Sequence, residues 1–122
     1  MSENEQSGKR YDLEDRTFQF AKSVRAFVKA LPRTLGNDED ARQLIRASGS
    51  VGANYIEANE SLSKKDFVMR IKISRKAAKE SRYWLRLLDT GGEVALEKQR
   101  TLLIQESTEL LNIFGAIVRK SE

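Results

Sequence analysis

The chain has 122 residues and a formal net charge of +4, with neither cysteine nor histidine. That length suits one domain, large enough to bury a core without staples. The missing thiols exclude disulfides and thiolate metal sites, and the missing imidazoles exclude zinc sites, Ser-His-Asp triads, helical ribonucleases that pair arginine with histidine, and di-iron bundles built on Glu-x-x-His.

Carboxylates, lysines, tyrosines and hydroxyls remain for catalysis, and they form no recognisable constellation. The expectation is a non-enzymatic protein without cofactor or metal. Residues 1–10 are polar, lack the apolar core of a signal peptide and read as a disordered tail ahead of a single domain over 11–120. No stretch approaches the roughly 20 apolar residues of a membrane span. Together with the absent cysteines, this reads as a soluble, cytoplasmic protein.

The first periodic segment places Leu13, Thr17, Phe20, Val24, Phe27 and Leu31 on one face of an amphipathic helix, which the lone proline, Pro32, should end. Gly36 lies in the following loop, and Asn37 or Asp38 can cap a second helix running from about Asp38 to Asn59. Its inward register is Ala41, Leu44, Ser48, Val51, Tyr55, Ala58 and Leu62. Gly49, Gly52 and Ala53 form a small-residue surface beside it. An interior glycine costs about 1 kcal/mol of helix propensity relative to alanine, so two within one turn imply close approach of another backbone, inside the bundle or from a second subunit.

Ser63-Lys64-Lys65-Asp66 resembles a capping box and turns the chain tightly into a third helix, with Phe67, Ile71, Ser74, Ala78, Ser81, Leu85 and Leu88 facing inward. The small middle of this face should meet the small middle of helix two. Thr90-Gly91-Gly92 supplies a stop, because glycine adopts the left-handed conformation that satisfies a helix's last carbonyls. A fourth helix follows from about Glu93 to Arg119, with Leu96, Leu103, Leu110, Phe114 and Ile117 inward. The fold class expected is all-α, an up-down-up-down antiparallel four-helix bundle.

Charge is distributed unevenly along this frame. Lys64 to Arg86 holds nine basic residues and two acidic ones, a local balance of +7 in a chain whose total is +4. Lys65, Lys72, Arg75, Lys79, Arg82 and Arg86 recur at helical spacing along one stripe, expected roughly opposite the apolar seam. Such a stripe is either a solvated helix face or a track for phosphates, which lysine and arginine hold without reading bases.

The segment Arg46-Ala47-Ser48-Gly49-Ser50-Val51-Gly52-Ala53-Asn54-Tyr55-Ile56-Glu57-Ala58, followed by Ser63, Phe67 and Lys79-Glu80-Ser81-Arg82-Tyr83-Trp84-Leu85, resembles the bacterial four-helix-bundle family named after proteins encoded in 23S rRNA intervening sequences. That name records a gene location, not an activity. The resemblance spans about Ala41 to Leu88 and implies a homopentameric, barrel-like ring. It is similar, too, to the accessory variability proteins of diversity-generating retroelements, which implies a basic surface for nucleic acid and a reverse transcriptase as protein partner. Glycine two or three residues beyond Glu57, common in relatives, is replaced here by Asn59 and Glu60, and Gly49 and Gly52 stand where larger residues are commoner.

Glu57 and Glu80, with Arg46 one face away and Asn54 bridging, are expected to form an ion network that orients helices two and three. Paired carboxylates for acid-base work or a divalent cation are the functional alternative, without the further ligands either needs. Tyr55, Tyr83 and Trp84 suit core or subunit contacts better than base stacking, and Trp84 is the expected oligomer anchor. The functional expectation is a homo-oligomer binding RNA or DNA through helix three. The alternative is a scaffold for an acidic partner protein.

Overall fold

No proline interrupts the chain before Pro32, and the first helix runs almost up to it. The computed structural model describes residues 3–122, with side chains from Leu13 onward, as four helices: α1 (Glu3–Ala30), α2 (Leu35–Asn59), α3 (Lys64–Leu87) and α4 (Val94–Ser121). Of the tail expected over residues 1–10, the first two residues lie outside those described. From Glu3 the backbone is helical and continuous with α1.

The helices pack in ring order, α1 on α2, α2 on α3, α3 on α4 and α4 back on α1, with no diagonal contact and no strand among the described residues. The result is a four-helix bundle. Apolar residues at three-four spacing give each helix one inward face, and Phe27, Leu44, Val51, Ile71, Leu85, Leu110 and Phe114 are fully buried. Two inward assignments differ from the sequence reading. Leu62 is fully exposed, because Glu60 and Ser61 bond back to the carbonyls of Glu57 and Ala58 and the chain leaves α2 before reaching it. On α4, Val118 takes the last deeply buried position and Ile117 lies beside it, half-buried.

The middle of the bundle is built from small polar residues. Thr17, Ser48, Ser74, Ser81 and Ser107 are buried there, and each hydroxyl donates to a helix carbonyl, so no buried side-chain polar atom among the described residues lacks a partner. Ser74 makes its bond across the seam, to the carbonyl of Val51 at 2.9 Å. Gly52 meets α1: a Cβ there would sit 2.8 Å from Thr17 Oγ1, so the glycine admits a close helix approach inside the bundle. Gly49 is less confined, with the Arg25 guanidinium 3.6 Å from its Cβ position.

At one end of the bundle, side chains tie the α1–α2 turn to the α3–α4 turn. The cap of α2 is Thr34, whose Oγ1 accepts from the Asn37 N–H at 3.0 Å. Asn37 and Asp38, the two expected caps, instead lie inside the first turn of α2, and Asn37 is buried there. Its amide donates to the carbonyls of Pro32 (2.9 Å) and Asp89 (2.8 Å) and accepts from the Asp89 N–H (2.9 Å). Gly91 and Gly92 have the expected left-handed φ of 68° and 78°, and a Cβ on Gly91 would lie 3.1 Å from the Pro32 ring. The carbonyls of Leu85 and Leu88 are nonetheless satisfied by Arg100, reaching back from α4. Glu97 accepts from both the Thr90 hydroxyl and Arg100.

The opposite end is held more lightly. Ser63 Oγ accepts from the Asp66 N–H at 3.1 Å, half of the expected capping box, and Asn59 donates to the Glu14 carboxylate at 3.3 Å.

Candidate functional site

The basic stripe of α3 starts from a simple offset. Lys72, Arg75, Lys79, Arg82 and Arg86 each follow an inward residue, Ile71, Ser74, Ala78, Ser81 and Leu85, by one position. One residue turns an α-helix by about 100°, so the stripe lies on the flank facing α4 rather than opposite the seam. Three contacts fix that flank. Arg82 donates to Thr108 Oγ1 at 3.3 Å, the Arg75 stem runs 3.8 Å from the Cβ position of Gly115, and Lys72 pairs with Glu122 at 3.2 Å.

These contacts divide the six cations. Arg75 and Arg82 are half-buried against α4, while Lys65, Lys72, Lys79 and Arg86 are exposed. Lys65, Lys79 and Arg86 carry no ion pair among the described residues, so their charge faces water. An outward charge not paired with a carboxylate within 4.0 Å can attract phosphate.

The expected ion network does not assemble. From the register fixed by Ser74 and Val51, Glu57 stands level with position 68 of α3, about 18 Å along the axis from Glu80 at 1.5 Å per residue. Antiparallel packing separates two residues that lie equally close to neither end of their hairpin. Arg46 and Glu80 do share the walls of a shallow cleft of about 270 Å³ between α2 and α3, but form no ion pair within 4.0 Å. Arg46, Glu57 and Glu80 are all exposed. Asn54 makes its bonds elsewhere, donating to Ser50 and accepting from Arg70 Nη1 at 3.0 Å.

Near the C-terminal end of α3, Trp84 is half-buried against the core and meets Tyr83 edge-on, with centroids 5.0 Å apart and planes at 81°. Tyr83 and Leu87 stand in the open beside it, Tyr83 56 % exposed. Tyr55, by contrast, is buried against Phe114 at 5.8 Å.

A second group of cations escaped the sequence reading, because it forms only when α1 and α2 come together. Lys22, Arg25, Lys29 and Arg42 are exposed on that helix pair. The Arg25 guanidinium lies over Gly49 of the facing helix, and Lys29, Arg33 and Arg42 rim a cleft of about 300 Å³ in the groove. Arg33 pairs with Asp38 at 2.8 Å and, chiefly by donating to it, holds that carboxyl below its ordinary range. A signal was present: Thr17 to Asn37 and Ala41 to Ile56 contain no acidic residue.

Comparison with known proteins places the bundle. The sequence model for the "23S rRNA-intervening sequence protein" family matches residues 9–116. A solved structure from Bacteroides thetaiotaomicron, a protein of unknown function from the S23 ribosomal protein family, is similar over 87 % of this chain and 97 % of its own, with 28 % identity and a TM-score of 0.72. No curated protein matches.

Proposed function

We propose that this chain, which belongs to the 23S rRNA-intervening sequence protein family, is a non-enzymatic homo-oligomer that binds RNA or DNA by its phosphates through α3. One observation carries the reading: Lys65, Lys79 and Arg86 are exposed on one flank without a carboxylate partner among the described residues. The mechanism is electrostatic. Each lysine or arginine that neutralises a phosphate releases counterions, which gives affinity without sequence preference and makes it fall steeply with salt. In a ring, a pentamer as the resemblance implies, every subunit repeats the stripe, and effective concentration multiplies weak contacts.

The cluster of Tyr83, Trp84 and Leu87 on α3 offers the subunit contact, with Trp84 as its anchor. Acting in the cytoplasm, such a ring would serve as an accessory to a nucleic-acid enzyme such as a reverse transcriptase, holding its template.

The test is binding of mixed-sequence RNA and DNA across a salt series, with mass in solution measured in the same buffers. Lys65, Lys79 and Arg86 changed together to Glu should abolish binding while the oligomer persists. Lys72 is left alone because Glu122 already engages it. An intact oligomer that binds neither polymer at low salt would move the assignment to a scaffold for an acidic protein. Trp84→Ala should lower the mass in solution; an unchanged mass removes Trp84 from the subunit contact.

A further inference from the structure

The helices contact one another only in ring order among the described residues, so the α1–α2 face and the α3–α4 face lie on opposite sides of the bundle. The basic stripe occupies the second of these through its contacts with Thr108, Gly115 and Glu122. We propose that the α1–α2 face is a second phosphate-binding surface, so that each subunit can hold nucleic acid on two opposite sides. This inference rests on the polyanion reading of the stripe.

Three observations carry it. Several cations of the fold have a carboxylate partner: Arg16 sits on Glu106 and Glu109, Arg100 on Glu97, Lys72 on Glu122 and Arg33, on the rim of the α1–α2 cleft, on Asp38. Most cations of the α1–α2 face have none within 4.0 Å. Lys22 and Lys29 have no ion pair among the described residues, Arg25 donates only to the Ala21 carbonyl, and Arg42 reaches Glu39 at no closer than 4.0 Å. The supply of acids explains this, since the middle stretches of both helices contain none.

The cations also share one place along the bundle. The Arg25 guanidinium lying over Gly49, and the common cleft of Val28, Lys29, Arg42 and Ile45, bring Arg42 level with the Lys22–Lys29 stretch of α1. Lys22 and Lys29 stand two helical turns apart, about 10 Å. A nucleic-acid strand carries one charge about every 3.4 Å of axis, so this row spans roughly three phosphates. The floor between the rows is shallow, because Gly49 carries no side chain and lets the Arg25 guanidinium lie across α2. Lys22 is in addition steered over the Phe18 ring, 5.8 Å from its centroid, which keeps its charge on this face.

Two triple variants, Lys22/Arg25/Lys29→Glu and Lys65/Lys79/Arg86→Glu, separate this inference from the one beneath it. Binding of a short mixed-sequence RNA duplex is followed across a salt series, and duplexes bound per subunit are counted at low salt. The α1–α2 variant should flatten the logarithmic salt dependence by about 0.9 for each lost contact and reduce the duplexes bound per subunit by roughly half, while α3 still binds. Wild-type slope and stoichiometry in that variant overturn the second face and leave the first intact. No change in either variant overturns the polyanion reading itself. The neutral counterpart, Lys22/Arg25/Lys29→Gln, guards against misfolding from excess negative charge and should lose the same stoichiometry with a smaller loss of affinity.

Discussion

The two ends of the bundle are held by different means. At the end that carries the α1–α2 and α3–α4 turns, buried or half-buried side chains fasten the turns: Asn37 holds the Pro32 carbonyl and the Asp89 backbone, Arg100 holds the carbonyls of Leu85 and Leu88, and Glu97 accepts from the Thr90 hydroxyl. At the α2–α3 end the side-chain contacts are exposed or part-exposed: the Ser63 cap, Ser61 on the Glu57 carbonyl, Asn59 on Glu14 and Lys72 on Glu122, while Leu62 stands in water. The difference teaches where cost arises. Two turns that must be docked on each other bury backbone polar groups, which need partners, whereas a single tight turn leaves its own to solvent.

Substitutions at the two ends should therefore differ in consequence. Asn37→Ala removes three hydrogen bonds from a buried position and should cost about 3 kcal/mol, read as a lower urea midpoint with an unchanged slope. A loss no larger than at Ser63 would break the comparison. Arg100→Met keeps the packing volume but strips two carbonyls of α3 and the partner of Glu97, for a loss of about 2 kcal/mol; differential scanning calorimetry measures it. At the lighter end, Ser63→Ala should cost about 1 kcal/mol, the usual value of an N-cap, with hydrogen exchange rising only in the first turn of α3.

Smallest should be Glu97→Gln, and its signature is pH. The Thr90 hydroxyl first, and Arg100 with it, hold the Glu97 carboxyl below its ordinary value of 4.5. A lowered carboxylate stabilises the fold above that value and loses the contribution as pH falls through the folded one. The thermal midpoint of the parent should thus drop more on acidification than that of Glu97→Gln. Parallel curves would show that Glu97 contributes nothing to the stitched end.

The same contrast explains what could be read from sequence. Helix positions and inward faces were legible because a 3.6-residue period is a local property, written within each segment from Leu13 to Phe114. Pro32 and Gly91 were legible as breaks for the same reason. The stitching was not, since Asn37 and Asp89 lie 52 positions apart and an asparagine at a helix start reads as a cap until a partner turn is seen beside it. Arg100 looked like one more surface cation. The stripe on α3 was visible as a run of charge, but its flank was misplaced by about a quarter turn, because helical spacing shows which residues align and not which neighbour they face. The cations of α1 and α2 stayed hidden because neither helix alone is conspicuously basic.

The ring order of contacts has a kinetic meaning. Three of the four seams join helices consecutive in sequence, and the α2–α3 seam is the most extensive. Only α4 against α1 requires a long loop to close, and that seam is fastened by Arg16 on Glu106 at 2.6 Å. Low contact order favours fast folding, with the α2–α3 hairpin as the natural nucleus and the α1–α4 seam the last to zip. In such a molecule the seam that forms last is the one that opens first, so α1 would be the helix most readily lent to another copy.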